Sequence, residues 1–316
     1  MKTILFTNSG WSIPMMISLA KAGELKGIVL PERDHEALTY IQGFAAEREI
    51  QVFKSSKDQL QSELLDWVDE LKCDVGLCMS FPYLFPEALL KKFKKGLYNF
   101  HFGRLPEYAG GDPLFWTLKN QVKTAVISVH LMNTDLDSGQ LMIQEQVSIF
   151  PGENYGILGA RLSQISATIP TKLFALIEAN HVGKFISPNP NPFTTPNSQD
   201  LIVDWNNQSS ESIEALVNAA NPSYGGAVTF FRNTLVRILE VSPADVPNAA
   251  LLGPGTIVHA TVSEGLFVLC SDYRFLRLNI IQTPETILTG NKLVALGIKT
   301  NEKFGKPKAQ SSQTVV

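Results

Sequence analysis

The first hundred residues alternate short apolar runs with segments of helical periodicity, and this alternation limits the fold more than any other feature. Between the runs, apolar residues recur at helical spacing, which predicts helices over about 36–48, 57–71 and 86–96; Leu60, Leu64 and Val68 share one face of the second. Strands that alternate with helices pair in parallel and form a twisted sheet covered on both faces. We therefore predict an α/β fold whose ligands bind at the carboxyl ends of the strands. The apolar runs are KTILFTN, LKGIVLP, IQVFK, CDVGLCMS and GLYNFHF.

The second half of the chain has a different pattern. Two predicted strands, TAVISVHLM and GQLMIQEQVSI, flank the loop NTDLDSG, and a long helix is predicted from about Tyr155 to Ala179. The Pro-rich stretch 187–200 is the best candidate for a linker. One helix with a serine at its N-cap is predicted next, and the several short strand-like runs that follow suggest a small barrel or sandwich. The predicted organisation is domain 1–186, linker 187–200, domain 201–305 and a disordered tail 306–316.

Composition excludes several classes of protein. The 316 residues carry a net charge of −3, with 44% hydrophobic and 18% charged residues, so nothing in the total favours DNA or an anionic membrane. The chain has no run of eighteen apolar residues and no signal-peptide pattern at its start, so we expect a cytoplasmic protein. Cys73, Cys78 and Cys270 form no CxxC pair, so we expect buried thiols and no metal site.

The stretch YNFHFGRLPEYAGGDPLFW, residues 98–116, is the first candidate for a functional site. Residues two apart in a strand share a face, so Asn99 and His101 point one way while Tyr98 and Phe100 point the other. The strand runs directly into a Gly- and Pro-containing turn, which places the polar pair near its carboxyl end. Both a structural histidine and a catalytic one fit this pattern alone.

Together with the later SVHLMNTDLDSGQLM, this stretch resembles the folate-dependent formyltransferase family, whose motif reads roughly N-x-H-x-S-L-L-P-x-Y-R-G with a later L-D-[ST]-G. The opening ILFTNSGWSIPMMISL and the second half of the chain are also similar to the family, and in two-domain layout to methionyl-tRNA formyltransferases. The resemblance implies a Rossmann-like catalytic domain with a mostly parallel sheet and a small C-terminal OB-like β-barrel. It also implies a formyl donor, 10-formyltetrahydrofolate, and no metal.

The resemblance assigns the catalytic roles to Asn99, His101 and Asp137. An amine that attacks a formyl carbon produces an oxyanion and a cationic nitrogen, so the site needs donors for the one and a proton acceptor for the other. Asn99 and a protonated His101 would donate to the oxyanion, and Asp137 would hold His101 charged and accept the proton. The implied folate contacts are Phe81, Pro82, Tyr83, Leu84 and Leu136.

Other residues are candidates for weaker reasons. Ser9 and Gly10 lie in the first strand-to-helix turn, where backbone amides could bind a phosphate, although a plain tight turn fits equally. His130 could face the cleft, but core packing or a surface edge is the preferred interpretation. Arg104 stands where the motif departs from the family pattern, so it is the first candidate for contact with the acceptor.

Several departures from the family pattern indicate which kind of amine the protein accepts. The family's S-L-L-P is GRLP here and its Y-R-G is YAGG, the loop LPERDHEALTY is short and as acidic as basic, and the predicted linker has no lysine. From Leu201 onward, nine Lys or Arg face nine Asp or Glu, whereas a phosphate-binding surface should be basic. We expect a small or carrier-bound acceptor, such as an amino-sugar nucleotide or an aminoacyl intermediate. The alternatives are a divergent methionyl-tRNA formyltransferase, a formyltetrahydrofolate hydrolase and an inactive folate-binding protein.

Overall fold

An eight-stranded sheet forms the centre of the first of two units. A computed structural model of the chain describes residues 1–33, 35–247 and 252–305. The first unit contains Met1–Pro113, Thr124–Ser148 and Gly159–Thr194. Its strands are β1 Thr3–Thr7, β2 Leu25–Pro31, β3 Gln51–Ser55, β4 Val75–Met79, β5 Leu97–His101, β6 Thr124–Leu131, β7 Gly139–Ser148 and β8 Lys184–Ile186. The helices up to residue 178 are α1 Ile13–Lys21, α2 Glu36–Ala46, α3 Glu63–Leu71, α4 Glu87–Leu90, α5 Pro113–Lys119, α6 Tyr155–Ser166 and α7 Ile169–Glu178.

The strand order in this sheet is β3-β2-β1-β4-β5-β6-β7-β8. The five strands from β3 to β5 pair in parallel, and β6, β7 and β8 continue the sheet in antiparallel pairs. The order reverses between β1 and β4, so the carboxyl ends of β1, β4 and β5 lie beside one another at a topological switch point. The prediction of an α/β fold with a mostly parallel sheet is confirmed.

The core of this unit is built on β1, whose five residues are all buried. The ring of Phe6 meets those of Phe81, Phe85 and Phe93 edge to face, with centroids 5.0 to 6.0 Å apart. Such arrangements are preferred by aromatic rings because their negative faces meet positive edges. The predicted helix face of Leu60, Leu64 and Val68 belongs to the same cluster, and the cysteines Cys73, Cys78 and Cys270 are buried as expected.

Three predicted helices differ from the structure. The one expected from about residue 155 to 179 is two helices, α6 and α7, because the ring of Pro170 would clash with the carbonyl of Ser166 in a continuous helix. The one expected over 86–96 ends at Leu90, since the Lys95 N–H turns to the Asp74 carbonyl at 3.0 Å. The one expected over 57–71 is a 3-10 turn, Asp58–Gln61, followed by α3.

The second unit contains Leu114–Lys123, Ile149–Leu158 and the chain from Thr195 onward. Its strands are β9 Ala227–Phe231, β10 Thr234–Ala244, β11 Ile257–Thr261, β12 Gly265–Leu269, β13 Phe275–Gln282, β14 Ile287–Thr289 and β15 Phe304–Gly305, with helices α8 Ser210–Ala220 and α9 Gly290–Ala295. The strand order is β11-β12-β13-β10-β9-β15, with β14 beside β13.

This antiparallel sheet curls until its outer strands meet. The Ile257 N–H donates to the Glu302 carbonyl at 2.8 Å, and the Phe304 N–H donates to the Gly255 carbonyl at 2.9 Å. The helix expected after the Pro-rich stretch is α8, and its predicted N-cap is confirmed because the Ser209 hydroxyl accepts from the Ser212 N–H.

The predicted boundaries at residues 186, 200 and 305 stay predictions, and the tail 306–316 lies outside the described residues. Among the described residues, no helix is both long enough and apolar enough to cross a bilayer.

Replacing Phe6 by Ala should destabilise the first unit by about 3 to 5 kcal/mol, because the ring is fully buried among aromatic neighbours and leaves a cavity. Urea unfolding of the purified protein measures this change. The matched control is Phe185→Ala, whose side chain is 64% exposed on β8 and whose loss should change stability by less than about 0.5 kcal/mol. Equal effects of the two substitutions would contradict the described core.

Candidate active site

The site is built on the face of β5 that carries Asn99 and His101. The side chain of His101 is 7% exposed, and that of Asn99 is half-buried. Strand β6 runs antiparallel beside β5 and pairs His130 with Asn99 and Ser128 with His101. Directly opposite residues in an antiparallel pair point to the same face. Two histidines and an asparagine therefore lie together on one side of the sheet.

The loop after β6 brings Asp137 to this face. One carboxylate oxygen, Oδ1, lies 3.5 Å from His101 Nδ1 and 3.4 Å from Asn99 Nδ2. The other oxygen, Oδ2, accepts a hydrogen bond from the Gly110 N–H at 2.8 Å. The side chain is only 8% exposed, so these donors replace the water that a carboxylate would otherwise bind. The three residues assigned by the resemblance are thus brought together.

His101 has a second contact, with the loop that follows its own strand. Its Nε2 lies 2.7 Å from the backbone carbonyl oxygen of Tyr108. A carbonyl oxygen can only accept, so Nε2 must carry the hydrogen in this contact. The other ring nitrogen, Nδ1, is then the one that faces Asp137.

His130 is both buried in the core and in contact with the site, which the sequence interpretation treated as alternatives. It is 1% exposed, as core packing requires, yet its Nε2 lies 3.3 Å from Asn99 Nδ2 and 3.8 Å from Asp137 Oδ1. Its Nδ1 must donate to the Ser138 carbonyl at 2.9 Å, which leaves the Nε2 of a neutral ring free to accept from Asn99. Burial lowers the pKa of His130 to about 4, although the nearby Asp137 opposes this shift. The signal that could have found it is the antiparallel pairing of β6 with β5.

The loop from Gly103 to Gly111 approaches His101 closely. A Cβ atom at Gly103 would lie 2.5 Å from Pro113 Cβ and 2.9 Å from His101 Nε2, closer than real Cβ contacts. A serine at this position, as in the family pattern, would therefore require the loop to shift. The half-buried side chain of Arg104 makes no hydrogen bond or ion pair within the described parts of the chain, while its backbone carbonyl accepts from the Tyr108 N–H at 2.7 Å.

The predicted folate contacts follow β4, the neighbour of β5 in the sheet. Phe81 and Tyr83 are half-buried and meet edge to face at 5.5 Å, and Phe81 also stacks on Phe85 at 5.5 Å. Leu84 is 62% exposed, and Leu136, which directly precedes Asp137, is 47% exposed. Pro82 is also exposed. The structure therefore offers apolar surface on two loops, of which one leads into the Asn99–His101–Asp137 group.

Ser9 and Gly10 lie at the carboxyl end of β1. The Ser9 N–H donates to the Thr7 hydroxyl at 3.2 Å, and the Ser9 hydroxyl accepts from the Trp11 N–H at 3.2 Å. The N–H groups of Ser9 and Trp11 therefore both donate within the turn itself. This geometry fits the interpretation as a tight turn, and no described contact joins Ser9 or Gly10 to Asn99, His101 or Asp137.

His130 should make the stability of the protein depend on pH. In the unfolded chain it binds a proton near its ordinary pKa of 6.5, and in the folded chain only near 4, so falling pH favours the unfolded state across this window. The free energy of unfolding falls by an amount on the order of 3 kcal/mol. This loss is absent at pH values above 6.5 and complete below about 4. Urea unfolding at several pH values should show this slope in the wild type and a much smaller one in His130→Gln. His181→Gln, which alters an exposed histidine, should leave the slope unchanged, and an unchanged slope in His130→Gln would contradict the assignment.

The sequence of the chain matches two models of one protein family. Residues 23–171 match the family model described as Formyl transferase, and residues 197–294 match Formyl transferase, C-terminal domain. Methionyl-tRNA formyltransferase from Prochlorococcus marinus (strain AS9601) is 26% identical over 253 residues, which cover 72% of this chain and 74% of that protein.

Two solved structures share the fold. The N-formyltransferase from Helicobacter canadensis, in complex with folinic acid and dTDP-3-aminofucose, has a TM-score of 0.67 at 15% identity and covers 88% of this chain and 98% of its own. HypX from Aquifex aeolicus, in complex with tetrahydrofolic acid, has a TM-score of 0.63 at 12% identity and covers 93% of this chain and 47% of its own. The two family models span the catalytic motif and most of the second half, so the chain belongs to the formyltransferase family and is a formyl-transferring enzyme.

Proposed function

We propose that this enzyme transfers the formyl group of 10-formyltetrahydrofolate to the primary amine of a small or carrier-bound acceptor, such as an amino-sugar nucleotide or an aminoacyl intermediate. The observation that carries the proposal is the contact of Asp137 Oδ1 with both His101 and Asn99, at 3.5 and 3.4 Å, on one face of the sheet. An amide, an imidazole and a carboxylate in contact supply the hydrogen-bond donors and the proton acceptor that formyl transfer to an amine requires.

The donor molecule would supply the formyl carbon that the amine attacks. The bond from that carbon to the donor nitrogen would then break, and tetrahydrofolate would leave with its nitrogen carrying the proton that the amine gives up. As the oxyanion forms, the Asn99 amide would donate a hydrogen bond to it, and the His101 Nε2–H would do the same by exchanging the Tyr108 carbonyl for the oxyanion. The present bonds of Asn99 Nδ2, at 3.3 and 3.4 Å, are longer than the usual 2.9 to 3.0 Å, so the amide gives up little when it turns to the oxyanion. Catalytic hydrogen bonds are often long before the reacting molecules bind.

In this proposal Asp137 orients His101 and accepts the proton of the amine, and its two carboxylate oxygens have different contacts. Oδ2 is held by the Gly110 N–H at 2.8 Å, which fixes the carboxylate. Oδ1 faces His101, and a protonated His101 would then find an acceptor for each of its N–H groups, Asp137 on one side and Tyr108 on the other. The proton released by the attacking amine leaves through Asp137, directly or through one water molecule.

The residues present fit the proposed folate donor. A pterin is a flat ring with polar edges, and it needs apolar surface for its faces. The half-buried Phe81 and Tyr83 and the exposed Leu84 and Leu136 offer such surface, and Leu136 is adjacent in the chain to the catalytic Asp137. We assign the pterin to these residues, with Pro82 at the same loop.

The charges in the second unit support a small acceptor over tRNA. Arg232 pairs with Glu302 and Arg274 with Glu211, so these guanidinium groups are already engaged. A protein that binds nucleic acid depends on cations that neutralise phosphates, and it should present them unpaired.

A cleft of about 680 Å³ within this unit also favours a small acceptor over tRNA. Its acidic lining residues are Glu153, Glu211, Glu214 and Glu240, with Lys123 as the basic one. Burial and the neighbouring Glu211 raise the pKa of Glu214, which is the effect expected where negative charges gather. Such a surface repels a phosphate backbone.

The second candidate is a divergent methionyl-tRNA formyltransferase. It is favoured by the 26% identity with the Prochlorococcus protein and by the match of residues 197–294 to the C-terminal domain of the family. We further propose that residues 1–186 are the catalytic domain and that residues 201–305 form an OB-like barrel, an architecture that also binds nucleic acids. The acceptor assay below separates the two candidates.

Asn99→Ala, His101→Ala and Asp137→Asn should each lower turnover by about 100- to 1000-fold, because each removes a group that stabilises the transition state. The assay follows release of tetrahydrofolate from 10-formyltetrahydrofolate with a panel of amino-sugar nucleotides, aminoacyl compounds and charged initiator tRNA. Circular dichroism and melting temperature serve as folding controls. Unchanged turnover in the folded variants would refute the mechanism, and formate release without any amine would indicate a hydrolase.

Arg104→Ala should raise the KM for an acceptor that carries phosphate or carboxylate by about 10- to 100-fold, since it removes a charged hydrogen-bond donor. The turnover number and the KM for the folate should change little, and Arg104→Lys should restore part of the affinity. Arg48→Ala, at an exposed position two residues after the end of α2, is the matched control. Efficient formylation of tRNA that weakens steeply with added salt would overturn the choice of a small acceptor.

A further inference from the structure

Residues 189–193, in the stretch that the sequence marks as a linker, run beside the loop next to the site. The Phe193 N–H donates to the Ala109 carbonyl at 2.8 Å, and the Gly111 N–H donates to the Phe193 carbonyl at 2.6 Å. These two bonds form a parallel β-bridge between Gly110 and Phe193. We call residues 189–193 the strap.

Two other backbone groups of the same loop contact the site. The Tyr108 carbonyl contacts His101 Nε2 at 2.7 Å, and the Gly110 N–H contacts Asp137 Oδ2 at 2.8 Å. The C=O and the N–H of one trans peptide group point in opposite directions. The Ala109 carbonyl therefore faces the strap, while the Gly110 N–H of the same peptide group faces Asp137.

Side chains reinforce the bridge. The rings of Tyr108 and Phe193 stack with centroids 5.4 Å apart at an angle of 20°, and the Asn189 side chain donates to the Pro106 carbonyl at 3.0 Å. A Cβ atom at Gly110, whose φ is +107°, would lie 2.1 Å from the Phe193 carbonyl oxygen. Only glycine allows the two backbones to come this close.

We propose that the strap is a positioning element of the active site, with Phe193 as its principal residue. It touches neither His101 nor Asp137 in any described contact, and it acts by fixing the register of residues 108–111. A shift of this loop moves the acceptor of His101 Nε2 and the donor to Asp137 Oδ2 together. Because the contact between these two side chains is already 3.5 Å long, a small shift separates them. The kinetic part of this inference rests on the proposed formyl transfer; the structural part does not.

The test compares Phe193→Ala with Phe193→Tyr, which keeps the stacked ring, and with Phe185→Ala, a matched control whose ring is exposed on β8. In protein labelled with 15N-histidine, the ring signals of His101 should shift in Phe193→Ala and stay in place in the other two variants. This readout needs no activity. Turnover of Phe193→Ala should fall by about 10- to 100-fold with KM for both substrates nearly unchanged, since a misplacement of about 1 Å can cost 100-fold.

Unchanged His101 signals together with wild-type turnover in folded Phe193→Ala would overturn the inference. If Phe193→Ala does not fold, Asn189→Ala removes one strap contact and should shift the same signals in the same direction; no shift there counts against the strap. A wild type that formylates no amine while its His101 signals respond to Phe193→Ala would refute the proposed function and leave the strap supported.

Discussion

The buried carboxylate of Asp137 is the constraint on which the rest of the site depends. A carboxylate removed from water must recover hydrogen bonds within the protein, because an unpaired buried charge is very costly. Gly110 satisfies one oxygen through its backbone, and Asn99 and His101 surround the other. The loop after β5 therefore has to return to the sheet, and its path is set by where a backbone N–H is needed. The short distance from that loop to β5 explains why Gly103 has no room for a side chain.

A second consequence concerns the two histidines, which lie on neighbouring strands and yet differ in charge environment. His130 is enclosed, donates to the Ser138 carbonyl and stays neutral, so it presents a lone pair to Asn99. His101 faces a carboxylate on one side and a carbonyl on the other. The pair illustrates how burial and hydrogen-bond partners give different roles to identical side chains. In the proposed mechanism, the histidine with acceptors on both sides stabilises the oxyanion, and the other histidine orients the asparagine.

Much of this was predictable from sequence, for physical reasons that also mark the limits. The alternation of strands and helices, and the shared face of Asn99 and His101, are local properties with a period of two or 3.6 residues. Asp137 was identified only through resemblance to a family, since nothing local distinguishes it from a turn residue. A place for His130 at the cleft was the less favoured interpretation, because local periodicity does not reveal that β6 pairs antiparallel with β5. The break before α7 could have been predicted from Pro170, because proline favours the first turn of a helix. The strap was missed because prolines suggested an unattached linker.

The close approach of Gly110 to Phe193 has a consequence for protein engineering and for evolution. Two segments some eighty residues apart in the chain share one narrow backbone contact. The effect of a substitution in one segment therefore depends on the residues of the other. Such positions are expected to be epistatic. A designer who grafts the corresponding loop of another formyltransferase onto this scaffold has to transplant residues 189–193 with it. The two segments are then inherited as a pair.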